Sequence, residues 1–249
     1  MSENNTKPKD KLAFFLPNSF TALNIGCGFM AIMYSIQGDF YKACMLIVLG
    51  AIFDSVDGRV ARMTGTQSSF GEQFDSLSDL ISFGIAPSLI FYNKFLTGYG
   101  RIGMLAAFFF LLCGALRLAR FNANIDKVKS DYFQGLPIPG AAAAMISFIL
   151  VSEEFPIYFK HQYVFFPYIL FYSVLMISNL PFPSFKKSDS VKKHKKKVLF
   201  LLIIIASSLF LYEEMMIFII ISLYVILSII YMLVNRDKFK HVFSWEEDD

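Results

Sequence analysis

The sequence predicts an all-α membrane protein, a polytopic bundle of about eight transmembrane helices. Of its 249 residues 55% are hydrophobic and only 17% are charged, whereas a soluble domain carries roughly 25% charged residues. The mean hydropathy is +0.52, and the apolar residues form runs close to the ~20 residues that cross a bilayer as a helix. An open sheet edge in lipid would leave backbone groups unpaired, so the runs are predicted to be helices. These observations exclude a soluble globule and a disordered chain.

Eight apolar runs are candidate spans, separated by short polar or glycine-containing segments. The third run is the weakest candidate because it contains Asp75 and Asp79, and the fifth opens with two prolines, Pro137 and Pro139. The predicted spans cover residues 19–37, 41–62, 74–93, 101–121, 137–153, 162–180, 197–212 and 215–234.

The distribution of cations predicts the orientation. With the N-terminus in the cytoplasm, all but four of the 23 Lys and Arg residues fall on cytoplasmic segments, the exceptions being Lys42, Lys94, Arg101 and Lys160. This bias follows the positive-inside rule and places both termini in the cytoplasm. We therefore expect a multi-pass protein of the cytoplasmic (inner) membrane.

The chain divides into five segments on this basis. Residues 1–18 form a cytoplasmic N-terminus in which KLAFFL (11–16) is expected to be an amphipathic juxtamembrane helix. Residues 19–180 form the main helical unit, 181–196 a basic cytoplasmic loop, 197–234 two additional spans and 235–249 a cytoplasmic tail. The loop serves either as a topology signal or to attract anionic headgroups.

Four carboxylates at the cytoplasmic ends of the second and third spans need an explanation. Asp54 and Asp57 are three residues apart and Asp75 and Asp79 are four apart, so each pair lies on one helix face. One Asp at the centre of a span costs about 2.5–3.5 kcal/mol, and mutual repulsion adds to this. Antiparallel neighbouring helices would bring the two pairs together.

Two divalent cations would neutralise all four carboxylates, and Mg²⁺ and Mn²⁺ prefer such oxygen ligands. A paired-metal site is a common device for phosphoryl displacement. Gly58 would let a ligand approach the helix backbone closely, and Arg62, one turn later, offers a fork of donors to a phosphate. The alternative is that these carboxylates are solvated and cap helix ends.

The complete pattern is D-x-x-D-G-x-x-A-R, eight residues, then G-x-x-x-D-x-x-x-D. It resembles the signature of the CDP-alcohol phosphatidyltransferases at every position and in the spacer. The matching residues are Asp54, Asp57, Gly58, Ala61, Arg62, Gly71, Asp75 and Asp79. The resemblance covers roughly residues 10–180, and it implies a core of six helices with a juxtamembrane helix, which the first six spans match.

The resemblance also implies roles for individual residues. Proteins of this family transfer a CDP-activated lipid to an alcohol with two Mg²⁺ or Mn²⁺ ions. The four aspartates would be the metal ligands, and Asp79 would also be the base that takes the proton of the acceptor hydroxyl. The residues expected to bind the CDP-lipid are Asn18, Thr21, Gly58, Arg62, Ser68 and Gly71. The stretch from Pro17 to Thr21 has an alternative interpretation as an ordinary helix start.

Two further segments, GALRLARFN and FQGLPIPGAAAA, resemble the serine-using branch of the family, as does the two-span C-terminal extension. The carboxylate of serine requires a cation, and Arg117 and Arg120 lie on one face at the cytoplasmic end of a span, followed by Asn122. We expect these three residues to bind serine. The alternative for the arginines is that they are membrane anchors. The alternative for residues 135–140 is that they shape a close-packed helix start.

The predicted function is therefore transfer of a phosphatidyl group from CDP-diacylglycerol to the hydroxyl of L-serine at the cytoplasmic face. Glycerol 3-phosphate or an inositol phosphate remains an alternative acceptor, and a divalent-cation transporter is the alternative from another class. The net charge of +3 gives no reason to expect a nucleic-acid partner. The oligomeric state stays open, with a homodimer as one expectation.

Overall fold

The computed structural model describes residues 8–124, 132–156, 162–183 and 212–234. Within these ranges the chain is almost entirely helical. Most of the predicted basic loop, nearly all of the seventh predicted span and the whole predicted tail lie outside the described residues.

The first two helices form an antiparallel pair. Helix α1 (Pro8–Ile36) packs along α2 (Phe40–Thr64). The turn between them uses Gly38 at a φ of 82°, and the Asp39 carboxylate caps α2 by accepting a hydrogen bond of 3.1 Å from the Lys42 amide. The predicted juxtamembrane helix and the first predicted span form one continuous helix, α1. The amphipathic character of the juxtamembrane part stays a prediction.

A tight turn joins α2 to the next helix. Helix α2 ends at Gly65, whose φ of 67° suits glycine and whose amide donates to the Ala61 carbonyl. Helix α3 (Ser69–Asp79) begins after Ser68, whose hydroxyl accepts the Gly71 amide at 3.1 Å. The helix thus starts five residues before the predicted span, because Ser68 caps a polar first turn that a hydropathy argument does not include.

The chain then makes a second helical hairpin. Helix α3 continues through a π-helical segment (Leu80–Ile85) into α4 (Ala86–Phe91), and a second π segment (Tyr92–Leu96) and a 3₁₀ turn (Thr97–Tyr99) follow. Helix α5 (Gly100–Ala123) returns against this arm. Gly100, with a φ of 55°, makes the reversal. The third and fourth predicted spans correspond to the two arms.

The remaining elements include a short β-ribbon that the all-α prediction lacks. Strand β1 (Tyr132–Gln134) pairs antiparallel with β2 (Pro181–Pro183). Gly135, at a φ of 75°, follows β1, and its amide donates to the Leu180 carbonyl at 2.9 Å. The helices of this part are α6 (Ile138–Glu154), α7 (Phe165–Ile177) after a 3₁₀ turn (Gln162–Val164), and α8 (Glu213–Val234).

Helix α6 is the most buried helix among those described, and it packs against α2, α4, α7 and α8. Large apolar side chains are exposed on the outer helices, among them Phe29, Leu105 and Leu227, as a lipid-facing surface requires. In the described part of the chain, three helical segments are long and apolar enough to cross a membrane: Phe15–Ile36, Ser69–Ala123 and Glu214–Val234. The prediction of a helical membrane protein is confirmed, and the number of spans stays a prediction.

Helix α1 and the π-helical segment approach each other closely at Gly28. A methyl group on Gly28 would lie 2.7 Å from the Ser82 hydroxyl and 2.9 Å from the Ser82 Cα atom. We expect Gly28→Ala to cost about 1–3 kcal/mol, because overpacking forces the two helices apart. The melting temperature of the purified protein should fall by several degrees.

Gly26 provides the matched control on the same helix, because nothing lies within 4 Å of a methyl group at that position. We expect Gly26→Ala to leave the melting temperature unchanged or slightly raised, since alanine favours helix. Equal melting temperatures for the two variants would contradict the close approach at Gly28.

Candidate active site

Three of the four predicted metal ligands form a compact cluster at the junction of α2 and α3. Asp54, Asp57 and Asp75 each place a carboxylate oxygen within 4.8 Å of the others. Asp79, one turn after Asp75, lies within hydrogen-bonding reach of the Asp54 carboxyl. Helices α2 and α3 are joined by the turn at residues 65–68 and both pack against α1, which brings the two pairs together, as the spacing of the pairs predicts.

The donor set fits a divalent cation. One carboxylate oxygen (Oδ1) of Asp75 and one of Asp79 are buried and have no hydrogen-bond partner within the described residues. An unpaired buried carboxylate oxygen is costly, and hard cations such as Mg²⁺ and Mn²⁺ bind this oxygen chemistry. The four side chains are therefore suited to hold metal, as the sequence analysis expected.

Helix α1 contributes polar contacts to this cluster. The Thr21 hydroxyl donates to Asp57 Oδ2 at 2.8 Å, and the Ser78 hydroxyl donates to the Thr21 carbonyl at 3.2 Å. One turn further along α1, Asn24 is fully buried, and its side-chain atoms have no hydrogen-bond partner among the described residues. Asn24 was not among the residues predicted from the sequence, although its spacing of three residues from Thr21 indicates the same helix face.

A cavity of about 220 Å³ opens beside the aspartates. Asp57 and Asp75 form part of its wall. All six residues predicted to bind the CDP-lipid also line it: Asn18, Thr21, Gly58, Arg62, Ser68 and Gly71. Residues from α1, the end of α2 and the start of α3 thus surround one space. Two of the other lining residues, Pro17 and Ala61, belong to the two predicted motifs, whereas Thr66, Gln67 and Glu72 were not predicted from the sequence.

The two glycines of the motif leave room for neighbouring polar groups. A methyl group on Gly58 would lie 3.5 Å from Nη1 of Arg62, and one on Gly71 would lie 3.3 Å from the Ser68 hydroxyl. Pro17 lies inside α1, so the interpretation of residues 17–21 as an ordinary helix start is wrong. The helix begins at Pro8 and carries this stretch past the cavity.

Arg117 on α5 lies on the Asp79 side of the cluster. Its side chain is 7% exposed, and it interacts electrostatically with Asp79. Its Cζ atom is 5.6 Å from the centre of the Phe121 ring, and its Nε has no partner in the described part of the chain. Five residues later, the Asn122 amide donates to the Ser76 hydroxyl at 2.9 Å and ties α5 to α3.

Arg120 has a different environment from Arg117. Its guanidinium donates to the carbonyl oxygens of Ile177, Gln134, Met176 and Ser178 and to the Asn179 side chain, at 3.1–3.4 Å. These bonds hold the end of α7 against the β-ribbon. Of the three residues predicted to bind serine, Arg117 is therefore the cation that lies beside Asp79, whereas Arg120 stabilises the surrounding backbone.

The fold and the site together define a class of protein: a helical membrane protein with a carboxylate cluster beside a polar cavity. Residues 14–182 match the family model of the CDP-alcohol phosphatidyltransferases. The chain belongs to this family. Membership in a phosphotransferase family favours the enzyme over the cation transporter considered from the sequence.

Several relatives resemble the chain over most of its length. The chain is 43% identical over 175 residues to the CDP-diacylglycerol–serine O-phosphatidyltransferase of Helicobacter pylori. The aligned residues cover 70% of this chain and 74% of the relative. It is 41% identical over 170 residues to the archaetidylserine synthase of Methanothermobacter thermautotrophicus, covering 68% and 69%. A CDP-diacylglycerol–serine O-phosphatidyltransferase of Methanocaldococcus jannaschii is 40% identical over 165 residues, covering 66% and 72%.

Proposed function

We propose that this protein transfers the phosphatidyl group of CDP-diacylglycerol to the hydroxyl of L-serine, which gives phosphatidylserine and CMP. The main support is one geometric observation: the cavity lined by the family motif has Asp57 and Asp75 of the aspartate cluster in its wall. In addition, the buried Arg117 interacts electrostatically with Asp79. The names of the relatives favour serine as the acceptor.

The cavity is the proposed site for the CDP group. Arg62 is exposed at its wall and can donate two parallel hydrogen bonds to a phosphate. Gly58 and Gly71 keep the wall free of side chains, so that the nucleotide can approach the backbone of α2 and α3. Asn18 and Ser68 add polar groups at the same wall.

Asp54, Asp57, Asp75 and Asp79 are proposed to hold two divalent cations, either Mg²⁺ or Mn²⁺. Bound there, such ions supply charge neutralisation of the diphosphate and stabilisation of the departing CMP oxygen. Thr21 fixes Asp57 through its hydrogen bond of 2.8 Å, and a fixed ligand keeps the site preorganised.

Asp79 is proposed as the general base. Its Oδ1 is buried and lacks a hydrogen-bond partner among the described groups, so it can accept the proton of the serine hydroxyl. The serine oxygen forms a bond to the lipid-side phosphorus as the bond from that phosphorus to the CMP oxygen breaks. The proton moves to Asp79, and CMP leaves with the electron pair of the broken bond.

Arg117 is proposed to bind the carboxylate of serine. A buried guanidinium offers a planar fork that matches a carboxylate, and the position beside Asp79 brings the hydroxyl of the same small amino acid close to the base. Glycerol 3-phosphate or an inositol phosphate would use the same cation for its phosphate. The acceptor is therefore the part of the proposal that needs the most direct test.

The active site and both termini are proposed to lie on the cytoplasmic side of the inner membrane, because this orientation puts nearly all Lys and Arg residues in the cytoplasm. The segments at 181–196, 197–234 and 235–249 keep their proposed roles as loop, additional spans and tail. A homodimer stays a prediction.

An acceptor panel tests the proposed function. Purified full-length enzyme receives CDP-diacylglycerol and Mn²⁺ with serine, glycerol 3-phosphate, an inositol phosphate or no acceptor, and CMP release is followed. We expect release that depends on serine. Release with a phosphate-bearing acceptor alone would reject serine while keeping the aspartate site, and no release with any acceptor would reject the proposed reaction.

A further inference from the structure

Helix α8 lies outside residues 14–182, which match the family model, yet it packs against the part of the fold that surrounds the proposed acceptor site. It contacts α6 and β2. Ile221 is 8% exposed, and its Cδ1 atom would lie 3.7 Å from a methyl group on Gly140, in the first turn of α6. One face of α8 is therefore packed against α6 and β2.

Tyr224 is a residue of α8 that packs against the β-ribbon. Its ring centre lies 5.6 Å from that of Phe182, a fully buried residue of β2. Phe182 pairs with Phe133 in the ribbon, and Arg120 donates to the neighbouring Gln134 carbonyl. The ring of Tyr224 is thus fixed against the ribbon that Arg120 holds in place.

Tyr224 also interacts electrostatically with Arg117, three residues before Arg120 on the same face of α5. Arg117 is buried, and it interacts with Asp79 as well. The guanidinium thus has electrostatic interactions with both Tyr224 and the proposed base. A buried charge is costly unless it is paired, and polar neighbours of a planar guanidinium limit the orientations that it adopts.

We propose that Tyr224 is a positioning residue, which orients the Arg117 guanidinium toward the carboxylate of the acceptor. Helix α8 thereby helps to set the affinity for the acceptor, although it lies outside the core that the family shares. The inference rests on the proposed function, since it assigns serine as the group that Arg117 binds.

The test measures steady-state kinetics of full-length Tyr224→Phe, which keeps the ring on Phe182 and removes only the hydroxyl. We expect the KM for serine to rise about tenfold, because the Arg117 guanidinium loses a polar neighbour that limits its orientations. The KM for CDP-diacylglycerol and kcat should stay within about twofold. Tyr212→Phe is the matched control, because Tyr212 is 67% exposed at the start of the described segment 212–234.

A double-mutant cycle separates positioning from a general effect on the fold. If Tyr224 acts through Arg117, adding Tyr224→Phe to Arg117→Lys should raise the KM for serine no further. A serine KM within twofold of wild type for Tyr224→Phe would overturn the inference. So would equal losses toward both substrates, or effects that simply multiply in the double variant.

Measuring the acceptor panel on the wild-type enzyme distinguishes a failure of the inference about Tyr224 from a failure of the proposed function. If the wild-type enzyme uses a phosphate-bearing acceptor, the assignment of serine is rejected. The same cycle, measured on the KM of that acceptor, would still accept or reject the pairing of Tyr224 with Arg117.

Discussion

Replacing Asp79 with Asn should reduce serine-dependent CMP release by about a hundredfold to ten-thousandfold, the usual contribution of a general base. The amide cannot accept the proton of the serine hydroxyl, and it is also a poorer cation ligand than a carboxylate. The side chain keeps nearly the same shape, so the protein should remain folded. Initial rates in detergent micelles at saturating Mn²⁺ measure the effect, and the melting temperature reports on the fold.

The matched control for this loss is Glu154→Gln, which removes a carboxylate at the exposed end of α6. We expect wild-type rates from it. Asp79→Asn turning over at the wild-type rate with metal present would reject the assignment of Asp79 as the base. If the rate falls together with the melting temperature, the loss is caused by unfolding and not by the missing base.

Replacing Asp57 with Cys should change which metal supports activity. Asp57 is 5% exposed and belongs to the triad with Asp54 and Asp75. A thiolate is a soft ligand that prefers metals such as Cd²⁺ over Mg²⁺. We expect activity with Mg²⁺ or Mn²⁺ to fall at least about a hundredfold, and Cd²⁺ to restore part of it. Rates measured across a titration of each metal test this.

Ser55→Cys is the control for the new thiol, because Ser55 is exposed on the same helix and its hydroxyl bonds only the Ala51 carbonyl among the described groups. Its metal preference should equal that of wild type, whose own three cysteines are buried. Asp57→Cys with full activity in Mg²⁺ would show that Asp57 does not bind the metal.

The sequence was most informative where chemistry imposes a fixed spacing. The intervals between Asp54 and Asp57 and between Asp75 and Asp79 placed each pair on one helix face, and the structure brings three of these residues within 4.8 Å. The motif and its spacer also led to four of the six lining residues, because the residues of a short helix–turn–helix lie close in space as well as in sequence. The other two, Asn18 and Thr21, came from the separate stretch that begins at Pro17.

The contacts between distant elements were beyond the reach of a single sequence. Arg117 and Arg120 share one face of α5 and looked equivalent, but only the packing of α7 and the ribbon shows that Arg120 binds backbone carbonyls. The ribbon itself was missed because strands of three residues carry no periodicity. Ser68 was assigned to the ligand alone, although its hydroxyl also caps α3.

The central claim is that the four aspartates form a two-metal site beside the CDP cavity. Anomalous X-ray scattering from crystals grown with Mn²⁺ and CDP-diacylglycerol tests it most directly. The account predicts two manganese peaks among Asp54, Asp57, Asp75 and Asp79, with the diphosphate of the lipid in contact with them. A single peak, or peaks bound elsewhere in the molecule, would contradict it.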